Sequence, residues 1–342
     1  MTNLIRSVGY SIGKIHTGLL AYLCDLHRDG VRGPLESFLG SVGIAITFKP
    51  LPRREWNSVD LAVLDEATRQ PRILVEIKVD DHETGVSEDT YQTNRYATKW
   101  PSCDAYLFIT LGIGECYHEP RNRRFTWLRI RDFLRAVESI KSAGNAVIAD
   151  WVEELRREVG VQEAVLRGDR SQLAGYRAGS WNIYLLGQLA ERLAPNFADA
   201  SIDVDPTCYP YGTRPDTILN FGWAREPLYM EINYSGRLNM KLSLDGSESA
   251  RRAAVERAIE WCRTAGFDPT PTLHSTGKIG DSKTIASFDI GLADTGDGAL
   301  RYVHSKEETE RRLLSVLKTL YGIRGTTAAP NPPMRPAGSA GG

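Results

Sequence analysis

The sequence predicts an α/β core followed by an α+β domain built on an antiparallel meander, and three observations predict it. Helical periodicity over residues 11–27, and again from Pro34, precedes a set of short apolar runs separated by polar turns. A polar, helix-like segment then divides those runs from the compact apolar stretch Ala105–Leu111. Helix, three strands, helix and strand in that order describe a sheet with one helical crossover. Further on, Asp216–Trp223, Leu228–Tyr234 and Leu238–Leu244 alternate apolar and polar residues between short Gly-containing turns, as antiparallel strands with one covered face do.

In the first helix (SIGKIHTGLLAYLCDLH) Leu19, Leu20 and Leu23 form an apolar stripe, and Arg28-Asp29-Gly30 ends it. Pro34, favoured in a first turn, opens a second helix that carries Leu35, Phe38 and Leu39 and stops at Gly43. Strands are expected at Ile44–Phe48, Val59–Leu64 and Ile73–Val79, with Pro50–Arg54 and Asp65–Pro71 as connections. A helix around Ser87–Lys99, a strand at Ala105–Leu111 and an amphipathic helix over Phe125–Ser142 follow. The second half adds helices at Trp151–Leu166 and Ser180–Leu193 before the meander. After it come a helix at Ser247–Gly266, strands near Thr284–Leu292 and a last helix at Lys306–Tyr321. These textures place one domain at 1–145 and an accessory domain at 146–324. Gly325–Gly342, rich in Ala, Pro, Gly and Ser without periodicity, reads as a disordered tail.

Composition narrows the function classes. No apolar run reaches the roughly 18 residues that a membrane helix needs, so no membrane partner is expected. Residues 1–18 lack the continuous apolar core of a signal peptide, which points to the cytoplasm. Cys24, Cys103, Cys116, Cys208 and Cys262 are odd in number and never form a CxxC pair, which argues against a zinc site or a disulfide framework. Reduced, mostly buried thiols are expected. A net charge of −1 permits a nucleic-acid partner only through local patches, such as Arg53-Arg54, Arg121-Arg123-Arg124 and Arg251-Arg252. Neither a GxxxxGK[ST] nucleotide loop nor an HExxH helix is present.

The chemistry concentrates at Asp60 and at Glu76-Ile77-Lys78. Alternation along Ile73–Val79 sends Ile73, Val75, Ile77 and Val79 to one face, a good core face. Leu74, Glu76, Lys78 and Asp80 point the other way, outward. Asp60 enters from the neighbouring strand, and two converging carboxylates suit a hard cation such as Mg²⁺ or Mn²⁺. Such an ion polarises a phosphate and acidifies water, while Lys78 can hold the water or stabilise charge on phosphoryl oxygens. An exposed Glu/Lys pair on a strand is common by itself. Gln92 and Tyr96, four apart and therefore on one face of the next helix, raise its significance.

The ordered set Asp60…Glu76-Ile77-Lys78…Gln92-Thr93-Asn94-Arg95-Tyr96 resembles the PD-(D/E)XK nuclease superfamily, in its RecB-like branch with a QxxxY helix. The upstream run His16-Thr-Gly-Leu-Leu-Ala-Tyr-Leu-Cys-Asp, with His27-Arg-Asp-Gly and Phe38-Leu39, is similar to the opening of a bacterial nuclease family there. The likeness spans Ile15 to Leu111; at residue 59 a Val stands where the superfamily name has Pro. The resemblance implies a restriction-endonuclease-like core with a mixed central sheet. It implies that Asp60 and Glu76 ligate Mg²⁺ or Mn²⁺, that Lys78 assists the nucleophile, and that Gln92 and Tyr96 shape the site. It offers His16 as a further metal contact, with a capping or core histidine as the alternative, and Glu36 as an added acidic helix residue, with a surface residue as the alternative. A second triplet, Arg214-Pro215-Asp216 with Glu231-Ile232-Asn233, mimics the first without its lysine. No QxxxY helix follows it, which favours coincidence over a duplicated fold.

The expectation is a metal-dependent deoxyribonuclease hydrolysing DNA phosphodiester bonds, with anti-phage defence or DNA processing as its setting by family analogy. The alternative is an inactive module of the same fold that binds nucleic acid or a protein. Tyr209, Tyr211, Trp223 and Tyr234 are candidates for stacking bases in the second half, or ordinary core and rim aromatics. Strandedness, internal or terminal cutting, and assembly into a homo-oligomer are left open by these motifs.

Overall fold

The computed structural model describes residues 3–79, 83, 88–117, 119–140, 144–196, 205–211, 214–225, 228–233, 235–244, 246–264, 282–294 and 296–322. It divides into two compact units, 1–173 and 174–342. In the first, helices α1 (Leu4–Val8), α2 (Gly13–Arg28) and α3 (Gly33–Ser41) precede three antiparallel strands, β1 (Pro50–Trp56), β2 (Val59–Asp65) and β3 (Pro71–Val79). Helix α4 (Gln92–Lys99) crosses to β4 (Ala105–Leu111), which runs parallel to β3, and β5 (Thr126–Arg129) runs parallel to β4. The sheet order is β1-β2-β3-β4-β5. Helices α5 (Ile130–Glu138) and α6 (Ala146–Leu166) follow. This is an α/β architecture with a mixed five-stranded sheet.

Strand β3 is central, and its alternation feeds two cores. Ile73 and Val75, with Leu61, Val63 and Leu107, pack against Leu20 and Cys24 of α2 and Leu35, Phe38 and Leu39 of α3. Leu74, with Ala62, Leu64, Tyr106 and Phe108, packs against Tyr96 and Ala97 of α4. The outward face expected for Leu74, Glu76 and Lys78 is therefore covered: Leu74, Glu76 and Lys78 are all buried. A central strand with helices on both sides has no solvent face.

Three boundaries depart from expectation. Ile44–Phe48 alternates between half-buried and exposed residues but joins no ladder. Pairing starts at Pro50, opposite Asp65, so these residues lie beyond the end of β2 and have no partner strand. The Pro-Arg connection is instead β1 itself, and Pro50 and Pro52 are tolerated because β1 is a sheet edge. Residues 126–129, expected in a helix, form β5 beside β4, and the helix begins only at Ile130. Helix α6 belongs to the first unit rather than opening the second at 146. Asn145 caps it, accepting from Val147 N at 3.1 Å and Ile148 N at 3.2 Å. The N-terminus is tied to it by Asn3 Nδ2 to the Asp150 carbonyl (2.9 Å) and Arg6 Nε to Glu154 Oε2 (3.0 Å).

The second unit holds α7 (Tyr176–Leu193) and a five-stranded antiparallel sheet in the order β10-β9-β8-β7-β6. Its strands are β6 (Asp205–Tyr211), β7 (Arg214–Arg225), β8 (Leu228–Ile232), β9 (Leu238–Ser243) and, after α8 (Glu248–Thr264), β10 (Ser282–Phe288). The short pair β11 (Leu292–Asp294) and β12 (Leu300–Tyr302) and helix α9 (Lys306–Gly322) complete it. Asn182 on α7 holds the β11–β12 turn, accepting from Leu300 N at 2.7 Å and donating to the Gly298 carbonyl at 2.9 Å. The tail 325–342 and Tyr234 lie outside the described residues, as do the side chains of Tyr209, Tyr211, Trp223, Cys208 and Cys262. Cys24 and Cys103 are buried free thiols and Cys116 an exposed one. Among the described residues no helix is long and apolar enough to cross a membrane.

Candidate functional site

The β2–β3 register sets the site. Leu61 pairs with Val75, so Asp60 falls next to Glu76 one step further along both strands. Asp60 Oδ2 accepts the Ile77 backbone N–H at 2.8 Å, which fixes its carboxylate over the end of β3. Glu76 and Lys78 share the α4 side of the strand, and Lys78 Nζ lies 2.9 Å from Glu76 Oε1 with side-chain exposures of 9% and 2%. The other oxygen, Glu76 Oε2, is buried with no hydrogen-bond partner among the described residues. Burial first, and then Asp60, push the Glu76 carboxyl up to about 7 against the pull of Lys78. An orphaned buried carboxylate oxygen is costly and calls for a partner.

Gln92, Tyr96 and Trp100 recur every fourth residue along α4 and its C-cap, forming one ridge. Tyr96 donates its hydroxyl proton to the Ser58 carbonyl in the β1–β2 turn and receives Gln92 Nε2 at 3.4 Å. Burial, followed by the charges of Glu76 and Asp60, raises the Tyr96 phenol well above its usual range. It stays protonated, as its donation to the Ser58 carbonyl requires. Replacing Tyr96 by Phe is expected to cost about 1 kcal/mol in urea unfolding through the lost bond to Ser58; an unchanged midpoint would refute that bond.

Two residues unseen in the sequence hold this frame. Glu83 is buried, and its Oε1 accepts both Thr93 N and Thr93 Oγ1 at 2.5 Å while Oε2 accepts Arg121 N at 2.9 Å. It caps α4, whose own N-cap Tyr91 supplies no side-chain bond. Asn122 adds bonds from its N to Thr93 Oγ1 (3.1 Å) and from Nδ2 to Asn94 Oδ1 (2.8 Å). These bonds lay the Arg121-Arg123-Arg124 patch along α4, where Arg124 also reaches the Ala97 and Pro101 carbonyls. An acidic residue ten positions ahead of a Thr is no sequence signature; three convergent donors are visible only in the fold.

Two sequence candidates are not brought to this group. His16 is fully buried, with Nε2 2.9 Å from the Tyr10 carbonyl and Nδ1 receiving the Trp151 indole N–H at 3.3 Å. The carbonyl requires a proton on Nε2 and the indole requires a lone pair on Nδ1, so both nitrogens are spent. Glu36 is exposed on α3 and lies 3.6 Å from His27 Nε2. The second triplet is dispersed by register. Glu231 pairs with Asn220, and Asp216 lies four residues before Asn220, about 13 Å along a strand. Glu231 instead pairs with Lys241 across β8 and β9 at 3.1 Å.

A divalent cation is tested by what the residues offer. Among the described residues no group of three or more His, Cys, Asp and Glu converges. Asp60 and Glu76 supply hard oxygens, one of them orphaned, and Mg²⁺ is commonly held by one or two carboxylates with water and phosphate completing its shell. The pair fits such an ion. No family model matches the chain, and neither a curated protein nor a solved structure matches it.

Proposed function

We propose that the first unit is a restriction-endonuclease-like core of PD-(D/E)XK type and that the protein is a divalent-metal-dependent DNA hydrolase. The single observation that supports this best is the buried Glu76 Oε2 beside Asp60, an oxygen with no donor among the described residues, with the Lys78 ammonium on the opposite oxygen. Three antiparallel strands, a crossover helix and a parallel fourth strand are the order that this reading requires. Arg95 and Lys99 on α4, with Arg121, Arg123 and Arg124, line the helix with positive charge that the net charge of −1 conceals.

In this reading Asp60 and Glu76 hold the cation, which when bound supplies Lewis-acid polarisation of the phosphate and a more acidic water. Lys78 stabilises negative charge on the phosphoryl oxygens as water attacks phosphorus in line with the leaving oxygen. Asp60 is held in place by Ile77 N–H, and Tyr96 ties α4 to the β1–β2 turn so that neither wall drifts.

The test is cleavage of plasmid and linear DNA with Mg²⁺, Mn²⁺ or EDTA. Lys78→Ala and Glu76→Ala are each expected to abolish cleavage, with Lys78→Ala retaining metal-induced stabilisation and Glu76→Ala losing it. Full activity in both variants would remove the assignment. A second reading, a non-catalytic module that binds nucleic acid or protein, draws on the engagement of His16 and Glu36 elsewhere, which leaves two carboxylates at the site among the described residues. Metal-independent DNA binding without cleavage under any condition would favour it.

A further inference from the structure

The geometry points to a stacking ledge for unpaired DNA bases, formed by Trp56 and Trp100 beside the candidate site. This deepens the nuclease reading and rests on it for the ledge's position relative to cleavage. Tyr96, next to the carboxylates, has its ring centroid 6.1 Å from that of Trp100, and Trp100 lies 4.9 Å from Trp56 at an interplanar angle of 34°. Both indoles rest on the hydrophobic cluster under α4 while remaining only partly buried. Three adjacent rings, buried at Tyr96 and partly exposed at Trp100 and Trp56, thus run from the carboxylates toward the surface.

The backbone holds Trp56 there at a cost. Glu55, Asn57 and Ser58, on either side of it, all adopt left-handed conformations, with φ of 52°, 51° and 70°. Asn57 and Ser58 are the paired positive-φ residues of a tight hairpin turn, and no glycine relieves them. Glu55 is a third, within the strand, and its carboxylate is turned to Lys14 on α2. A regular strand there would set Glu55 opposite Asp60 by continuing the register. The left-handed turn removes that negative charge from the α4 face and leaves Trp56 lying over Trp100. Strain of this kind persists where the surroundings enforce it, and it gathers at functional sites.

Charge on the ledge suits a polyanion. Lys99 Nζ sits 4.6 Å above the Trp100 ring, Arg95 is exposed on the same helix with its guanidinium 5.9 Å from the Tyr96 ring centroid, and Arg53 is exposed on the strand that carries Trp56. None of the three has an acidic partner among the described residues. Indoles stack on bases whatever the sequence, and Arg and Lys take the phosphates between them. In a duplex the base faces are already stacked on one another. The ledge therefore selects single-stranded segments: tails, flaps or melted ends.

The experiment measures binding of the full chain in EDTA, by anisotropy, to a labelled oligo(dT) of about 20 nucleotides and to a blunt hairpin duplex. Trp56→Leu and Trp100→Leu keep an apolar side chain of smaller size and remove the π-face, whereas Trp56→Phe and Trp100→Phe are also smaller but keep a π-face. The Leu variants are expected to weaken oligo(dT) binding by roughly tenfold or more each, the Phe variants by much less, with duplex binding unchanged. Lys99→Ala, at an exposed position, should flatten the salt dependence for oligo(dT). Equal binding of single strand and duplex by the wild type, or Leu variants that bind like the wild type, would overturn the ledge. Selective binding without cleavage would leave the ledge standing and remove the hydrolase reading. Cleavage with no Trp dependence would do the reverse.

Discussion

If the protein is the proposed DNA hydrolase, Glu76→Gln is expected to lower its metal-dependent cleavage by at least ~10³-fold, because Lewis-acid catalysis contributes several kcal/mol and each 1.36 kcal/mol is a factor of ten. The same substitution has a second readout that needs no substrate. The Glu76 carboxyl is raised to about 7, so in EDTA its folded-state pKa exceeds the unfolded value near 4.5. Its stabilising contribution is fully present below pH 4.5 and is lost as pH rises through 7. The stability of Glu76→Gln relative to the wild type should therefore grow with pH across that window, by up to ~3 kcal/mol, and then level off. Urea midpoints of both proteins at pH 4.5, 6 and 7.5 check it. A pH-independent difference would show that Glu76 is not a buried acid, whatever the cleavage assay reports. Added Mg²⁺ should stabilise the wild type and not the variant.

The second large effect is on stability at mild acidity, through His16. Burial lowers its pKa to about 4 in the folded chain, below the unfolded value near 6.5. The group is neutral when folded, so its contribution is present above pH 6.5 and lost as pH falls toward 4, when the unfolded chain binds a proton that the folded chain refuses. The loss approaches ~3 kcal/mol, a large fraction of a typical domain stability of about 5–15 kcal/mol. The ring is wedged among Tyr10, Phe133 and Trp151, with centroids 5.0, 6.2 and 6.4 Å away. A charge there would face aromatic rings, a carbonyl and an indole donor that has no lone pair to offer. Chemical denaturation from pH 7 to 4.5, with an NMR titration of the imidazole, measures this. An imidazole that titrates near 6.5 in the folded protein would contradict it.

Much of the first unit was legible from local pattern. The α2 stripe of Leu19, Leu20 and Leu23, the alternation in β3 and the apolar run of β4 each report a periodicity that survives in the fold. What failed locally failed for a non-local reason. Ile44–Phe48 alternates like a strand and is not one, because strand identity depends on a partner edge. Pro50–Trp56 looks like a connection and is a strand, because an edge tolerates proline. Residues 126–129 were drawn out of a helical pattern by the free edge of β4. In the second unit, the mimic at Asp216 and Glu231 was refuted only by register, which sequence spacing does not encode.

For the candidate site, the residue types of Asp60, Glu76, Lys78, Gln92 and Tyr96 and their order along the chain were set by the sequence alone. So was the assignment of Glu76 and Lys78 to one face of β3, since alternation is a property of any strand. Only the tertiary structure decided that this face is buried under α4, that Asp60 stands beside Glu76, and that one carboxylate oxygen has no donor among the described residues. It also decided that His16 is spent on Tyr10 and Trp151, and that Glu83 caps the helix carrying Gln92 and Tyr96. The reason is physical. Periodicity is written residue by residue, whereas burial, register and hydrogen-bond satisfaction depend on which distant segment arrives opposite.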